Sequence, residues 1–152
     1  MYELPQVEVR LRLAEATPLY SEEQISTATK AVEIMALALK ELDREEVLVV
    51  NFDSKNHPIN FHVVSIGGIS FSYVPMQNVF KAALLCNASG IMLFHNHPSG
   101  DVTPSTEDID VTAKVYKASR IMEIPLMDHI IVGGGNGNHY SIREHYPELW
   151  GK

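Results

Sequence analysis

Gly90-Ile91-Met92-Leu93-Phe94-His95-Asn96-His97-Pro98-Ser99-Gly100 is the stretch on which the reading of this chain turns. Its first half is an unbroken apolar run opened by glycine, the pattern of a strand covered on both faces. Its second half exchanges apolar side chains for two imidazoles and then for Pro98, Ser99 and Gly100, residues that stop a strand and turn the chain. Residues 96–104 therefore read as a loop. A helix is expected from about Ser105 to Met122, with Ile109, Thr112, Val115, Tyr116 and Ser119 on its inner face. A buried strand that passes through a polar loop into a helix is a building unit of α/β architecture.

Working outward, Val47-Leu48-Val49-Val50-Asn51-Phe52 is a second doubly buried strand. Asp53 to Pro58 has turn composition, and Ile59 to Ile66 reads as the returning arm of a hairpin, stopped by Gly67-Gly68. Ile69 to Val74 is a further extended piece, and Pro75 opens a helix with Val79, Phe80, Ala83 and Leu84 inward. Upstream, Val7, Val9, Leu11 and Leu13 alternate with polar or small residues, a half-buried strand closed by Pro18. Ser21 and Gln24 form a capping box for a helix whose apolar face is Ile25, Ala28, Val32, Met35, Ala36, Leu39 and Leu42, ending near Asp43-Arg44. Downstream, Ile130-Ile131-Val132 is a last central strand. Gly133 to Asn138 is a hairpin turn rather than a phosphate loop, since it lacks Lys-Ser/Thr and precedes a strand. His139 to Ile142 returns as a strand, and the tail around Trp150 reads as a surface turn or short helix. Strands and helices interleave without repeats or linkers, so the fold class expected is α/β, a mixed central sheet with helices on its faces.

Composition narrows the function classes. The chain has 152 residues, enough for one compact domain with a core of useful size. Twelve Lys and Arg against 19 Asp and Glu give a net charge of −7, which disfavours a broad phosphate-binding surface. No apolar run approaches the ~20 residues of a membrane span, and the N-terminus lacks a secretory pattern. Cys86 is the single cysteine, which excludes an intrachain disulfide and a cysteine zinc cluster and suits a reducing cytoplasm. It reads as an inert core thiol.

Any metal is then left to histidine and carboxylate. His95 and His97, with Asp108 on the first turn of the following helix, form two imidazoles and one carboxylate. That is a normal set for catalytic Zn²⁺, leaving a fourth position for water, whose pKa the ion lowers to about 7. Convergence of the two rings is expected from the chain breaking out of its strand at His95, with Pro98 and Gly100 as breakers. Plainer readings stand beside this one. His-x-His pairs are often satisfied by backbone carbonyls, and Ser105 with Asp108 has the form of an N-cap serine and an acid at N3. Asp128 and His129 open a buried strand, where a histidine is more often hydrogen-bonded in the core than a ligand. His62, His139 and His145 are given no role.

The spacing His95-x-His97, seven residues, Ser105, two residues, Asp108 matches the JAMM (JAB/MPN) metalloprotease motif. The segment His95-Asn96-His97-Pro98-Ser99-Gly100, then Thr103-Pro104-Ser105-x-x-Asp108, and later Leu126-Met127-Asp128-His129-Ile130-Ile131-Val132-Gly133, resembles the RadC family in particular. The likeness runs from about Arg44 to Ile142. It implies the JAB/MPN form of α/β/α architecture, which is cytidine-deaminase-like, with residues 44–152 as the domain and residues 1–43 as a strand and helix extension packed on it. It also implies a catalytic domain without the helix-hairpin-helix region that RadC proteins usually carry. Asn96 is the RadC-type variant of a position that holds Ser or Thr in eukaryotic JAMM proteins.

The resemblance further implies one Zn²⁺ per chain held by His95, His97 and Asp108, and a glutamate before the first central strand as general base. Matching the strand to the RadC pattern places that glutamate at Glu45. A one-residue slip makes it Glu46, and the two-residue period of a strand lets only one of them face the metal. Ser105 would stabilise the tetrahedral oxyanion. The implied activity is hydrolysis of a peptide or isopeptide bond in a peptide or protein substrate. Other classes remain in view: a DNA-associated RadC-type role with direct nucleic-acid binding or a metal-dependent nuclease, and a non-catalytic MPN interaction module, which would lack metal ligands. A zinc deaminase needs Pro-Cys-x-x-Cys, which one cysteine does not supply. The alternating N-terminal strand has two places to pair, within the fold or across a homodimer.

Overall fold

The apolar runs at 47–52 and 90–97 lie side by side at the centre of a five-stranded sheet. The computed structural model describes residues 5, 6, 8, 9, 12, 27–67 and 74–151. In chain order these form α1 (Ala28–Leu39), β1 (Glu46–Phe52), β2 (Pro58–Ile66), α2 (Met76–Leu85), β3 (Gly90–His97), α3 (Thr106–Met122), β4 (Leu126–Gly133), β5 (His139–Ser141), α4 (Ile142–His145) and a 3₁₀ turn at Pro147–Trp150. The strand order is β2-β1-β3-β4-β5. The pair β3–β4 is parallel and is bridged by α3, while the β1–β2, β1–β3 and β4–β5 pairs are antiparallel. The expected mixed α/β sheet with helices on its faces is therefore what the chain forms.

Alternation along the central strands explains their unbroken apolar runs. Val47, Val49, Ile91 and Leu93 point to one face, where they pack with Val79, Phe80 and Ala83 of α2 and Val111 and Val115 of α3. Leu48, Val50, Phe52, Met92 and Phe94 point to the other, where they meet Ala31, Met35, Ala36 and Leu39 of α1. Each side chain is covered whichever way it points, so residues 47–50 and 91–94 are apolar on both faces. Phe94, fully buried, contributes about 1.5–3 kcal/mol by that burial alone.

Several element readings shift at their ends. Among the described residues, α1 starts from Thr27, whose side chain accepts the Lys30 N–H. It stops at Leu39, short of Asp43-Arg44, because the chain must turn there to feed β1. Leu84 is exposed rather than inward, lying outside the arc that α2 presents to the sheet. β3 does not give way to a loop at Asn96 but continues through His97. The alternating strand at Val7–Leu13 lies largely, the capping box at Ser21–Gln24 wholly, and the extended piece at Ile69–Val74 in all but its buried last residue, outside the described residues. No described helix is long and apolar enough to cross a membrane.

Candidate metal centre

The site is a product of strand parity and register. His95 and His97 are two apart on a continuing strand, so they share a face, the one α3 covers. No break at His95 is needed to bring the rings together, which corrects the expectation drawn from Pro98 and Gly100. In the β1–β3 pairing Val47 is opposite His95. Carried back two residues, the same antiparallel register sets Glu45 opposite His97, on the same face. Glu46 has the opposite parity. Glu45 accordingly lines an open cleft of about 330 Å³ together with His95, His97, Pro98, Ser99, Asp101, Thr103, Ser105 and Asp108. Ligand atoms of Glu45, His95 and His97 all lie within 4.8 Å of one another.

Asp108 reaches the same point from α3. Its carboxylate oxygens are 3.6 Å from His95 Nε2 and 3.3 Å from His97 Nε2. Donor atoms bound to one tetrahedral cation at 2.0–2.2 Å are separated by about 3.3–3.6 Å, so this spacing suits a small divalent metal. The His97 tautomer suits it too. Its Nδ1 lies 2.7 Å from the Asp101 carbonyl, which can only accept, so Nδ1 carries a proton, and Nε2, turned to Asp108, is the nitrogen that can exchange its proton for a metal ion. Ser105 caps α3: its Oγ accepts the Asp108 N–H at 3.1 Å, and Asp108 Oδ2 accepts the Ser105 N–H at 2.7 Å. The capping box and the cleft therefore use the same two residues.

Charge in the site is divided unevenly. Burial drives His95 down to about 3, so it is a neutral imidazole. Burial pushes the Asp108 carboxyl up, but the hydrogen bond with His97, the neighbouring imidazole and the Ser105 N–H outweigh it and hold the group at about 2. His97 is raised, chiefly by its hydrogen bond to Asp108. Asp108 is thus an anion whose principal partner is His97.

The loop after His97 rests on the β4–β5 turn. The Gly134 N–H donates to the His97 carbonyl at 2.8 Å, and Asn136 Nδ2 donates to the Gly100 carbonyl at 3.2 Å. A Cβ on Gly134 would lie 2.5 Å from the Pro98 carbonyl oxygen and 2.7 Å from its Cα. The glycine run is the expected hairpin turn, and it is also the floor of the loop that follows His97.

Sequence reasoning missed this floor, and it missed Thr112 as a bridge. Thr112 Oγ1 donates to the Asp108 carbonyl at 2.7 Å and lies 2.7 Å from His129 Nδ1. His129 is fully buried, and burial lowers it to about 4, so it is a neutral core histidine. Asp128 accepts the Ser141 hydroxyl and the Arg143 N–H, tying β4 to the start of α4. His62 accompanies neither group. Its Nε2 is 2.8 Å from the Asn78 carbonyl, joining β2 to α2. Cys86 is half-buried at the end of α2, its thiol near the Ala83 carbonyl.

The RadC-like JAB domain family model matches residues 25–147. A UPF0758 protein of Roseiflexus castenholzii is 39% identical over 121 residues, 80% of this chain and 51% of that protein. One from Methanococcoides burtonii is 33% identical over 142 residues, 91% of this chain and 61% of the relative. One from Rubrobacter xylanophilus is 44% identical over 104 residues, 68% of this chain and 44% of the relative. The chain spans about half the length of the curated relatives it matches, and their names state no activity.

Proposed function

Because this chain belongs to the RadC-like JAB domain family, we propose that it is a zinc-dependent hydrolase of amide bonds, cutting a peptide or isopeptide linkage in a peptide or protein substrate. The observation that carries the reading is the approach of the Asp108 carboxylate to His95 Nε2 at 3.6 Å and to His97 Nε2 at 3.3 Å, beside Glu45 in one open cleft. His95, His97 and Asp108 would hold the ion. Bound there, zinc supplies Lewis-acid polarisation of the scissile carbonyl and lowers the pKa of the attacking water.

The chain's own residues do the rest. Glu45 takes a proton from the attacking water and returns it to the departing amine nitrogen, so one carboxylate serves both half-reactions. Ser105 Oγ is an acceptor within its cap, which leaves its hydroxyl proton free to donate to the carbonyl oxygen as charge develops. The Asp101 carbonyl keeps His97 in the tautomer that offers Nε2 to the cleft.

Metal stoichiometry tests the reading first. Elemental analysis of protein purified without chelator is expected to find one zinc per chain, lost in His97→Ala. Hydrolysis of a mixed peptide and isopeptide library is expected next. Absence of zinc after zinc is supplied overturns the reading, and metal-dependent nicking of DNA without amide hydrolysis replaces it.

A further inference from the structure

We propose that Asn96 positions Glu45, making it a third functional residue in the His95–His97 segment. The inference deepens the hydrolase reading and rests on it. Asn96 lies between the two histidines on β3, so strand parity turns it away from them, toward the face that α1 covers. It is fully buried and does not line the cleft. Its side chain instead crosses to the residues just before β1. Asn96 Oδ1 accepts the Glu46 N–H at 2.7 Å, and Asn96 Nδ2 donates to the Arg44 carbonyl at 2.8 Å.

These two bonds grip the residues on either side of Glu45, which itself lines the cleft. They act where the backbone ladder stops, since the last β1–β3 pair is Val47 with His95. One step further a side-chain amide supplies the donor and the acceptor that a paired strand would have supplied. From the other flank, the Gly67 N–H donates to the Glu45 carbonyl at 2.7 Å. The backbone of 44–46 is therefore anchored on both sides, and on the β3 side the anchor belongs to the strand that carries both histidines. A general base misplaced by about 1 Å can lose a hundredfold in rate, so this anchor matters to turnover. An amide suits the task because it offers both a donor and an acceptor in one plane.

The test is a double-mutant cycle on zinc affinity, read by chelator competition with zinc alone, so no substrate is needed. Glu45→Gln removes a negative charge near the histidines and is expected to weaken zinc binding by about tenfold. Asn96→Ala is expected to weaken it by several-fold through displacement of the same carboxylate. In the Glu45→Gln background, Asn96→Ala is expected to add less than about twofold, because the group it positions is gone. With a library substrate, Asn96→Ala should lower kcat with KM little changed. If Asn96→Ala does not fold, the same cycle is read with Asn96→Thr, whose hydroxyl can hold one of the two bonds. Multiplicative losses in the double variant overturn the proposal, because Asn96 would then act through the histidines. Wild-type zinc affinity and turnover in Asn96→Ala also overturn it. Failure of the wild-type chain to bind zinc is distinct: it removes the hydrolase reading, and this inference with it.

Discussion

Gly134→Ala separates a steric role from a conformational one at the base of the metal loop. Gly134 does not have the positive φ that would reserve its position for glycine. The objection to alanine is space: the new Cβ would lie 2.5, 2.7 and 2.8 Å from the Pro98 carbonyl oxygen, Cα and carbonyl carbon. These are backbone atoms, directly after His97, so relief requires the His97–Gly100 loop and the β4–β5 turn to separate by about 1 Å. Overpacking of this kind costs about 1–3 kcal/mol, occasionally more. For a chain of this length that is a fall in Tm of roughly 3–10 °C. The separation also strains the 2.8 Å bond from the Gly134 N–H to the His97 carbonyl, so His97 Nε2 leaves the Asp108 carboxylate and zinc affinity falls by more than about tenfold. Gly135→Ala in the same turn is the control. Gly135 has φ +73° and open space where a Cβ would stand, with nothing within 4 Å, so alanine there costs only about 1–2 kcal/mol of left-handed strain. Both variants would be followed by thermal unfolding and by chelator competition for zinc. The reasoning is refuted if the two lower zinc affinity equally, or if Gly134→Ala leaves it at the wild-type value.

Glu45→Gln should keep one zinc per chain, with the modest weakening given above, while library hydrolysis falls by about 10²–10⁴, the range for loss of a general base; metal analysis and turnover on one preparation check it. Zinc affinity should fall on acidification through a single group. His97, raised above 6.5 chiefly by Asp108, takes a proton first, whereas His95 at about 3 and Asp108 at about 2 do not compete near neutrality. The logarithm of affinity should therefore drop by about one per pH unit below the His97 pKa, and a slope of two contradicts the charge division. Thr112→Val removes the bridge between the Asp108 carbonyl and His129 Nδ1 and leaves a buried ring N–H unpaired. The expected cost is about 1–3 kcal/mol in chemical denaturation with m unchanged, and a neutral result would show that His129 has another partner.

What could be read along the chain was local. Apolar runs at 47–50 and 91–94 announced strands buried on both faces, because burial on both faces favours apolar side chains at successive positions. Ser105 and Asp108 announced a helix start, because a cap is satisfied within four residues. The motif spacing brought His95, His97, Ser105 and Asp108 under suspicion, and pattern matching added Glu45. Tertiary structure decided whatever depended on two segments meeting. Only the β1–β3 register sets Glu45, rather than Glu46, opposite the histidine face, since a shift of one residue exchanges the two. Asn96 meets Arg44 and Glu46 across some fifty positions of sequence, and its side chain carries no local signature of that contact. Gly134 reads as one glycine among several in a turn until Pro98 is seen packed against it. The sequence alone determined which residue types could do the chemistry and which segments would be strand or helix. The fold determined which of those residues stand together, because distances between segments follow from strand register and from the helices that cover the sheet, neither of which is written in any one stretch of the chain.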